Sequence, residues 1–303
     1  MKKKVIIIVQ NSAKYPSNII IPFIKKTWVK NTTHKVFFYE GNSKNERIDK
    51  MNIYLDAPGT YAGMGEKFIK CIELIEKNFQ YDYIFNTTTG SYINSIEFDK
   101  FVTNLPKNNI YCAPVDFYPP INRTKENSIT FGSGRGTFLS KDVIKLIINK
   151  QNEWDHSLGL NDVSLAKLLN EHNIPLKIGY RQDFKSYPKI KEINSNNYHY
   201  GFRLDTSGIP RFFEIISLLS INNKLKFLAK ENKRWYVLQH IYDFIFSSVF
   251  SIISAVNIKH HSSRYKDYVN YFINSIYKIF KKNSYIYKIL RKVKKSFNIK
   301  TQI

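Results

Sequence analysis

Short runs of apolar residues alternate with helix-forming segments over about the first 185 of the 303 residues. The runs "VIIIV", "KVFFY" and "YDYIF" are rich in β-branched and aromatic residues, as buried strands are. The segment "MGEKFIKCIELIEKNF" instead repeats apolar residues at helical spacing, which places Phe68, Ile72, Ile75 and Phe79 on one stripe. Alternating strands and helices are typical of α/β folds. We therefore predict a mostly parallel sheet flanked by helices over residues 1–208.

The pattern changes after about Gly208, where long segments have helical spacing and the charge becomes strongly positive. The net charge of the chain is +23, and residues 221–303 carry 17 Lys and Arg against three acidic residues. Apolar stripes lie beside lysines there, as in helices that bind anionic membranes. We interpret residues 209–303 as a basic C-terminal helical extension that associates with a membrane. The alternative is a small helical subdomain with a solvated basic face.

Several features restrict the location and the partners of the chain. The apolar run Val5–Val9 is shorter than the roughly 7–15 residues of a signal-peptide core. The run "IYDFIFSSVFSIISAV" is shorter than the roughly 20 residues of a membrane span. Cys71 and Cys112 lie in apolar segments, which is typical of buried free thiols in a reducing compartment. We expect a cytoplasmic protein, peripheral on the inner face of the cytoplasmic membrane.

Six segments, taken in order, resemble a known group of enzymes. They are "FIKKTW", "VFFYEG", "GTYAGMGEKF", "FNTTTGSYIN", "FGSGRGTFLS" and "LNDVSLAKLLNEHNIP". Their order and approximate spacing resemble the beta-1,3-glycosyltransferase and fringe group of GT-A glycosyltransferases. That group carries "IRxTW", "FFxxG", a tyrosine and a lysine where a helix begins, "DDD", "sGxGYxxS" and "EDV". The resemblance covers about residues 1–180 and implies a GT-A-like fold with a nucleotide-sugar donor and a glycan or glycolipid acceptor.

The three aspartates of the family fall on Thr88, Thr89 and Gly90. In the family those carboxylates hold a divalent cation on the donor diphosphate, and hard cations need carboxylate oxygens. The resemblance thus implies either a metal-independent transferase or an inactive relative, and we expect no divalent metal. A plain polar turn is the alternative for this stretch. We assign the ends of two strands to donor binding: Gln10, Asn11, Thr87, Thr88, Thr89, Gly90 and Ser91.

Without a metal, positive side chains would have to neutralise the leaving diphosphate. Arginine offers a planar fork suited to phosphate oxygens. Arg203 and Arg211 follow the last predicted elements of the α/β part, and His199 lies just before them. Lys67 stands at the family's lysine position. We predict that all four bind the donor, with ordinary surface roles as the alternative.

The family's catalytic base falls on Asp162, while Asn161 replaces the acid that precedes it. An inverting transferase needs one base to take the proton from the acceptor hydroxyl. The resemblance implies this role for Asp162, and a helix N-cap is the alternative. In the family the glycine-rich turn lies by the acceptor and the donor sugar. We predict acceptor contacts from Gly134, Arg135, Gly136, Asp155 and His156.

The predicted function is therefore an inverting transfer from a nucleotide-sugar, with UDP as the expected nucleotide. Abundant Lys, Asn and Ile suggest an AT-rich bacterial genome, so the expected acceptor is a surface glycan such as lipooligosaccharide or capsule. A lipid-linked acceptor would explain the basic tail. One alternative is an inactive sugar- or membrane-binding relative. A nucleic-acid-binding protein is the other, but no nucleic-acid-binding motif is present.

Overall fold

A computed structural model describes residues 3–12, 17–60, 63–118, 129–158, 161–184, 192–202 and 213–230. The first half of the chain contributes, in order, β1 (Val5–Gln10), α1 (Ser17–Ile24), a π-helical turn (Lys25–Val29), β2 (Lys35–Glu40), β3 (Arg47–Asp49), β4 (Asn52–Tyr54), α2 (Met64–Asn78), β5 (Tyr83–Thr88), β6 (Ser91–Ile93) and α3 (Ser95–Asn104). The second half contributes β7 (Tyr111–Ala113), β8 (Val115–Tyr118), β9 (Ile129–Gly132), β10 (Thr137–Ser140), α4 (Lys141–Asn149), two short 3₁₀ turns (Gln151–Glu153 and His156–Leu158), α5 (Asn161–Glu171), β11 (Leu176–Ile178), β12 (Gln182–Phe184), β13 (His199–Phe202) and α6 (Phe213–Lys230).

Eight strands form the central sheet, in the order β11-β7-β10-β5-β1-β2-β4-β3. Strand β1 pairs in parallel with β2 and β5, whereas β10 and β3 run antiparallel to their neighbours. The other strands share one direction, which confirms the predicted α/β fold with a mostly parallel sheet flanked by helices. Two smaller sheets, β12-β13-β6 and β8-β9, lie beside it.

Strand β1 runs through the middle of the core. Val5, Ile7 and Val9 belong to the core on one face of the sheet, and Ile6 and Ile8 belong to the core on the other. A strand covered on both faces is apolar at every position, as this one is. Side chains from α1, α3 and α6 pack on the first face. Helices α2, α4 and α5 pack on the second.

The predicted stripe on α2 is confirmed. Phe68, Ile72 and Ile75 are at most 1% exposed, and Phe79 packs against the same core from the end of the helix. Pro114 separates β7 from β8, which belong to different sheets. Proline has no backbone N–H to donate, so it interrupts the hydrogen bonding between strands.

Helix α6 stands at the start of the region that we assigned to the helical extension. Its residues Ile215, Leu218 and Ile221 are fully buried in the core beside α1. Residues 231–303, which carry 14 of the 47 Lys and Arg of the chain, lie outside the described residues. Within the described part of the chain, no helix has both the length and the apolar character needed to cross a membrane.

Candidate functional site

The carboxyl ends of the parallel strands lie along one edge of the central sheet, which we call the carboxyl edge. Ligands of open α/β sheets bind at such an edge. Gln10 ends β1 and pairs with Tyr39 on one side and Thr88 on the other, so β1, β2 and β5 finish together. Helices α2 and α5 begin at the same edge, because α2 leads back to β5 and α5 leads back to β11. The ring of Phe68, in α2, lies 6.3 Å from the ring of Trp154, in the segment that precedes α5.

The threonine-rich end of β5 turns directly into β6. Thr87 Oγ1 donates a hydrogen bond to Ser91 Oγ at 2.8 Å, and both residues are fully buried. The carbonyl of Ser91 accepts a hydrogen bond from Trp28 Nε1 at 3.0 Å. Thr89 is buried as well, and Thr88 is half-buried. The hydroxyls of Thr87 and Ser91 are therefore bonded to each other, inside the protein.

This strand end does not offer ligands for a divalent cation. Hard cations bind carboxylate oxygens, and residues 88–90 supply hydroxyls and a glycine instead. Across the ranges that the structure describes, no group of three His, Cys, Asp or Glu side chains is placed to hold a metal ion. Residues 88–90 thus do not fit a metal ion, because they lack carboxylate oxygens.

One acidic side chain reaches the strand end from a distant part of the sequence. Glu214, in the first turn of α6, is 2% exposed. A Cβ added to Gly90 would lie 3.5 Å from its Oε2 atom and 3.0 Å from the carbonyl oxygen of Phe202. The missing side chain of Gly90 thus allows α6 and β13 to pack closely here. Sequence reasoning did not identify Glu214, because no motif links it to the strand end.

Asn11 follows β1 and is fixed from two sides. Its backbone N–H donates to the carbonyl of Tyr39 at 2.9 Å, and its Nδ2 donates to Glu40 Oε2 at 2.8 Å. Burial raises the pKa of Glu40. The Oδ1 atom of Asn11 is buried and has no hydrogen-bond partner within the described residues. This oxygen therefore has unused acceptor capacity beside the end of β1.

Lys67 lies in the first turn of α2 and is only 4% exposed. The side chain of Lys67 packs beside Gly41, the residue after β2. A Cβ atom added to Gly41 would lie 3.0 Å from Lys67 Cδ. Burial lowers the pKa of Lys67. Among the described residues its ammonium group has neither a hydrogen-bond nor an ion-pair partner. A buried cation without a partner carries a desolvation cost that an anionic ligand would offset.

An open pocket of about 490 Å³ lies between the start of α2 and the segments that follow β2 and β4. Glu66, the neighbour of Lys67 in the sequence, is one of its lining residues. The volume of the pocket lies within the range of small-molecule sites. The lining residues are mostly polar: Asn42, Ser43, Lys44, Asp56, Ala57, Pro58 and Glu66.

Residues 133–136 connect β9 to β10 and form what we call the glycine turn. Gly136 has a φ of +113°, a conformation that side chains disfavour, and its N–H donates to the carbonyl of Asn86 at 2.9 Å. The side-chain amide of Asn86 donates to the carbonyl of Gly134 at 3.4 Å. The N–H of Gly134 in turn donates to Asp162 Oδ2 at 3.2 Å. The glycine turn thus links the end of β5 to the start of α5.

Asp162 is the second residue of α5 and is half-buried. Besides the bond from Gly134, its Oδ1 accepts the N–H of Val163 at 3.2 Å. Burial raises the pKa of Asp162; the backbone N–H bonds oppose this, and the Asp116 carboxylate adds to it. A fixed carboxylate with a raised pKa is suited to accept a proton near neutral pH. The same bonds also fit the cap interpretation, since caps accept backbone N–H groups.

The residues predicted near the acceptor have different surroundings. Asp155 Oδ2 pairs with Lys167 Nζ at 2.8 Å, and its Oδ1 accepts the N–H of Ser157 at 3.0 Å. These contacts, Lys167 first, lower the pKa of Asp155 to about 2. His156 is exposed in a short 3₁₀ turn. Asp155 therefore anchors the segment before α5, whereas Gly134, Arg135 and Gly136 lie in the glycine turn.

His199 lies in β13 and is fully buried. Its ring packs edge-on against Phe85 at 5.3 Å and lies under Gly136, where a Cβ would collide with it. Neither ring nitrogen has a hydrogen-bond partner within the described residues. Burial, followed by the charges of Arg181 and Arg135, lowers the pKa of His199 well below its ordinary value. A neutral ring does not supply the positive charge that we assigned to it from the sequence.

Several of the predicted site residues lie along the carboxyl edge. Gln10 and Asn11 stand at the end of β1, Lys67 packs beside Gly41 after β2, and Asp162 is hydrogen-bonded to the glycine turn, which is joined to β5. Arg203 and Arg211 lie outside the described residues, so their assignment stays a prediction.

Comparisons with known proteins give structural matches only. No protein-family model and no curated protein matches the sequence. One similar solved structure is a glycosyltransferase involved in the glycosylation of the major capsid of PBCV-1, with 15% identity, 65% of this chain and 93% of that chain covered, and a TM-score of 0.38. Another is 2-C-methyl-D-erythritol 4-phosphate cytidylyltransferase from Thermus thermophilus, with 10% identity, 59% and 88% covered, and a TM-score of 0.33. Both TM-scores are low, so neither match decides the activity of this chain.

Proposed function

We propose that this protein is an inverting glycosyltransferase that moves a sugar from a nucleotide-sugar, with a UDP-sugar as donor, to a glycan or glycolipid acceptor. One observation carries the proposal. Lys67, a buried lysine whose ammonium group has no partner among the described residues, and Asp162, a fixed carboxylate of raised pKa, lie in the first turns of neighbouring helices at the carboxyl edge. Inverting transfer from a nucleotide-sugar without a metal ion uses both kinds of group, a cation that binds the diphosphate and a base for the acceptor hydroxyl.

On the donor side, the diphosphate binds at Lys67. The bond between the sugar's anomeric carbon and the diphosphate oxygen breaks during transfer, so negative charge grows on the diphosphate. A positive group already in place stabilises that charge without rearrangement. Arg203 and Arg211 are proposed to add to it. The Oδ1 atom of Asn11 and the polar pocket at the start of α2 are proposed to hold the polar nucleoside.

On the acceptor side, Asp162 takes the proton from the attacking hydroxyl. The acceptor oxygen forms its bond to the anomeric carbon on the face opposite the diphosphate, which inverts the configuration. The pKa of Asp162 is raised, and an acid of higher pKa is a stronger base once ionised. The proton ends on the Asp162 carboxyl, and the nucleoside diphosphate leaves with the electron pair of the broken bond.

The basic extension is proposed to hold the enzyme at the inner face of the cytoplasmic membrane. Each Lys or Arg near an anionic leaflet contributes about 1 kcal/mol. A bacterial lipid-linked surface glycan, such as lipooligosaccharide or a capsule precursor, would be within reach of an enzyme held there. This part of the proposal rests on the sequence, because residues 231–303 lie outside the described residues.

A thermal-unfolding panel tests the proposal most directly. Full-length protein is heated with nucleoside diphosphates and nucleotide-sugars, each with and without EDTA. A ligand that binds only the folded state stabilises it by mass action and so raises Tm. At a ligand concentration one hundred times Kd, the free energy of unfolding rises by roughly 2.7 kcal/mol. We expect UDP and one UDP-sugar to raise Tm. No shift with any nucleotide would contradict the proposal, and binding without sugar transfer would indicate the inactive relative.

A further inference from the structure

Arg181 immediately precedes β12, and its side chain is 6% exposed. Its Nε and Nη2 atoms donate to the two carboxylate oxygens of Asp183, at 2.7 and 2.8 Å. This two-point contact fixes the plane of the guanidinium group. Asp183 therefore determines the direction in which the third nitrogen, Nη1, points.

The Nη1 atom of Arg181 binds the glycine turn at two points, one on each side of Gly134. It donates to Ser133 Oγ at 3.0 Å and to the backbone carbonyl of Arg135. Between these two contacts lies Gly134, whose N–H donates to Asp162 Oδ2. The contacts thus run from Asp183 through Arg181 and the glycine turn to the carboxylate of Asp162.

We infer that Arg181, oriented by Asp183, is a positioning residue that holds the glycine turn so that the Gly134 N–H stays on the Asp162 carboxylate. The inference concerns the geometry of Asp162, and its link to catalysis rests on the proposed function. The planar fork of arginine is required, because three nitrogens must serve Asp183 and the turn at once. Lysine keeps the charge but presents its donors from a single nitrogen atom.

Other charged and titratable groups also act on Asp162. Burial raises the pKa of Asp162, and the Asp116 carboxylate on β8 adds to this effect. Burial also raises the pKa of Tyr111 on β7; the N–H of Gly132, which donates to its hydroxyl at 2.8 Å, opposes this, and the Asp162 carboxylate adds to it. Arg135 lies in the turn itself. A test must therefore change the hydrogen bonds of Arg181 while leaving the charge of the site unchanged.

Two variants meet this condition, Arg181→Lys and Ser133→Ala. Arg47→Lys is the matched control, since Arg47 lies over the ring of Tyr54 at the far edge of the sheet. The pKa of Asp162 is measured by ¹³C NMR of its carboxyl carbon in the ligand-free full chain, with Asp162→Asn to assign the signal. We expect the pKa to rise by about half to one pH unit in both test variants, the effect of losing one backbone N–H bond to a carboxylate. The control should match wild type.

An unchanged or lowered pKa in folded Ser133→Ala would overturn the inference, whatever the fate of Arg181→Lys. In an assay of sugar transfer, Arg181→Lys should have a lower kcat and an unchanged KM for the donor. The acid limb of its kcat–pH profile should shift to higher pH. The carboxyl pKa is read without substrate. The two hypotheses can therefore fail independently. If Asp162 is not the base, the Asp162→Asn variant will transfer sugar normally, whatever the carboxyl pKa shows about Arg181.

Discussion

Replacing Lys67 by methionine should stabilise the protein and weaken its binding of nucleotide. Methionine retains an unbranched chain against Gly41 but removes the ammonium group, which has no partner among the described residues. A charged donor left unsatisfied in a buried place costs about 1–3 kcal/mol or more. We expect a gain of about 1 kcal/mol in the free energy of unfolding, which corresponds to a rise of roughly 2–4 °C in Tm.

The same change should impair donor binding. A hydrogen bond to a charged group contributes about 1.5–3 kcal/mol, so the Kd for UDP should rise about 10- to 100-fold. Calorimetric titration with UDP gives the affinity, and thermal unfolding without ligand gives the stability. Lys70→Met is the matched control, because Lys70 lies one turn later in α2 and pairs with Glu46 and Glu66. Surface pairs of this kind contribute at most about 1 kcal/mol, so the control should show no gain in stability.

The stability gain should also depend on pH in one direction. The pKa of Lys67 is lowered in the folded state, so the unfolded chain holds more protons between that pKa and the ordinary value of lysine. Wild type therefore recovers stability as pH rises through this window, and its difference from Lys67→Met should shrink. A lower Tm in Lys67→Met together with unchanged UDP affinity would refute the assignment of Lys67 as an anion-binding residue.

Two further predictions concern catalysis and the membrane. Asp162→Asn should lower kcat by about 10²–10⁴-fold while UDP affinity stays near wild type, since the amide cannot take a proton; near-normal turnover would leave the cap as its only role. Truncation after residue 230 should reduce sedimentation of the protein with anionic liposomes at low salt. Neutral liposomes serve as the control. Equal binding of the full-length and truncated proteins to anionic liposomes would show that the tail has a structural role only. The cut falls after residue 230, because Leu218 and Ile221 of α6 belong to the core.

The elements that sequence reasoning identified are those with strong periodic signals. The continuous apolar run of β1 and the helical stripe of α2 report burial directly, because each pattern follows from the geometry of one element. Short strands such as β6 and β12 carry too few residues for a pattern, and β6 exists as part of a sheet only because β13 pairs with it.

Residues of the candidate site could be predicted from the sequence only where they belong to a motif. Asp162 and Lys67 were found by resemblance, yet the burial of Lys67 follows from its packing beside Gly41, which links two separate segments. Arg181 and Glu214 act on distant parts of the chain, the glycine turn and the end of β5. A single sequence does not show which charged residue is buried, since that depends on what the fold brings against it.

The threonine-rich strand end leads to the last prediction, that transfer continues in EDTA. Thr87 and Ser91 bond to each other, and residues 88–90 have no carboxylate. Glu214 is the acid that approaches Gly90, but it is 2% exposed and already engaged in an interaction of its own. Hard cations take several oxygen ligands, and one engaged carboxylate does not provide such a set.

The measurement is donor turnover by the full-length enzyme against EDTA concentration, followed by addition of Mn²⁺ or Mg²⁺. Unchanged turnover in EDTA, together with loss of turnover in Arg203→Ala or Arg211→Ala, would support neutralisation of the diphosphate by side chains. Loss in EDTA with recovery on added metal would show that the prediction is wrong. Glu214→Gln would then identify the ligand: a variant that no longer responds to added metal would place the cation beside Gly90, where α6 rather than β5 supplies the charge.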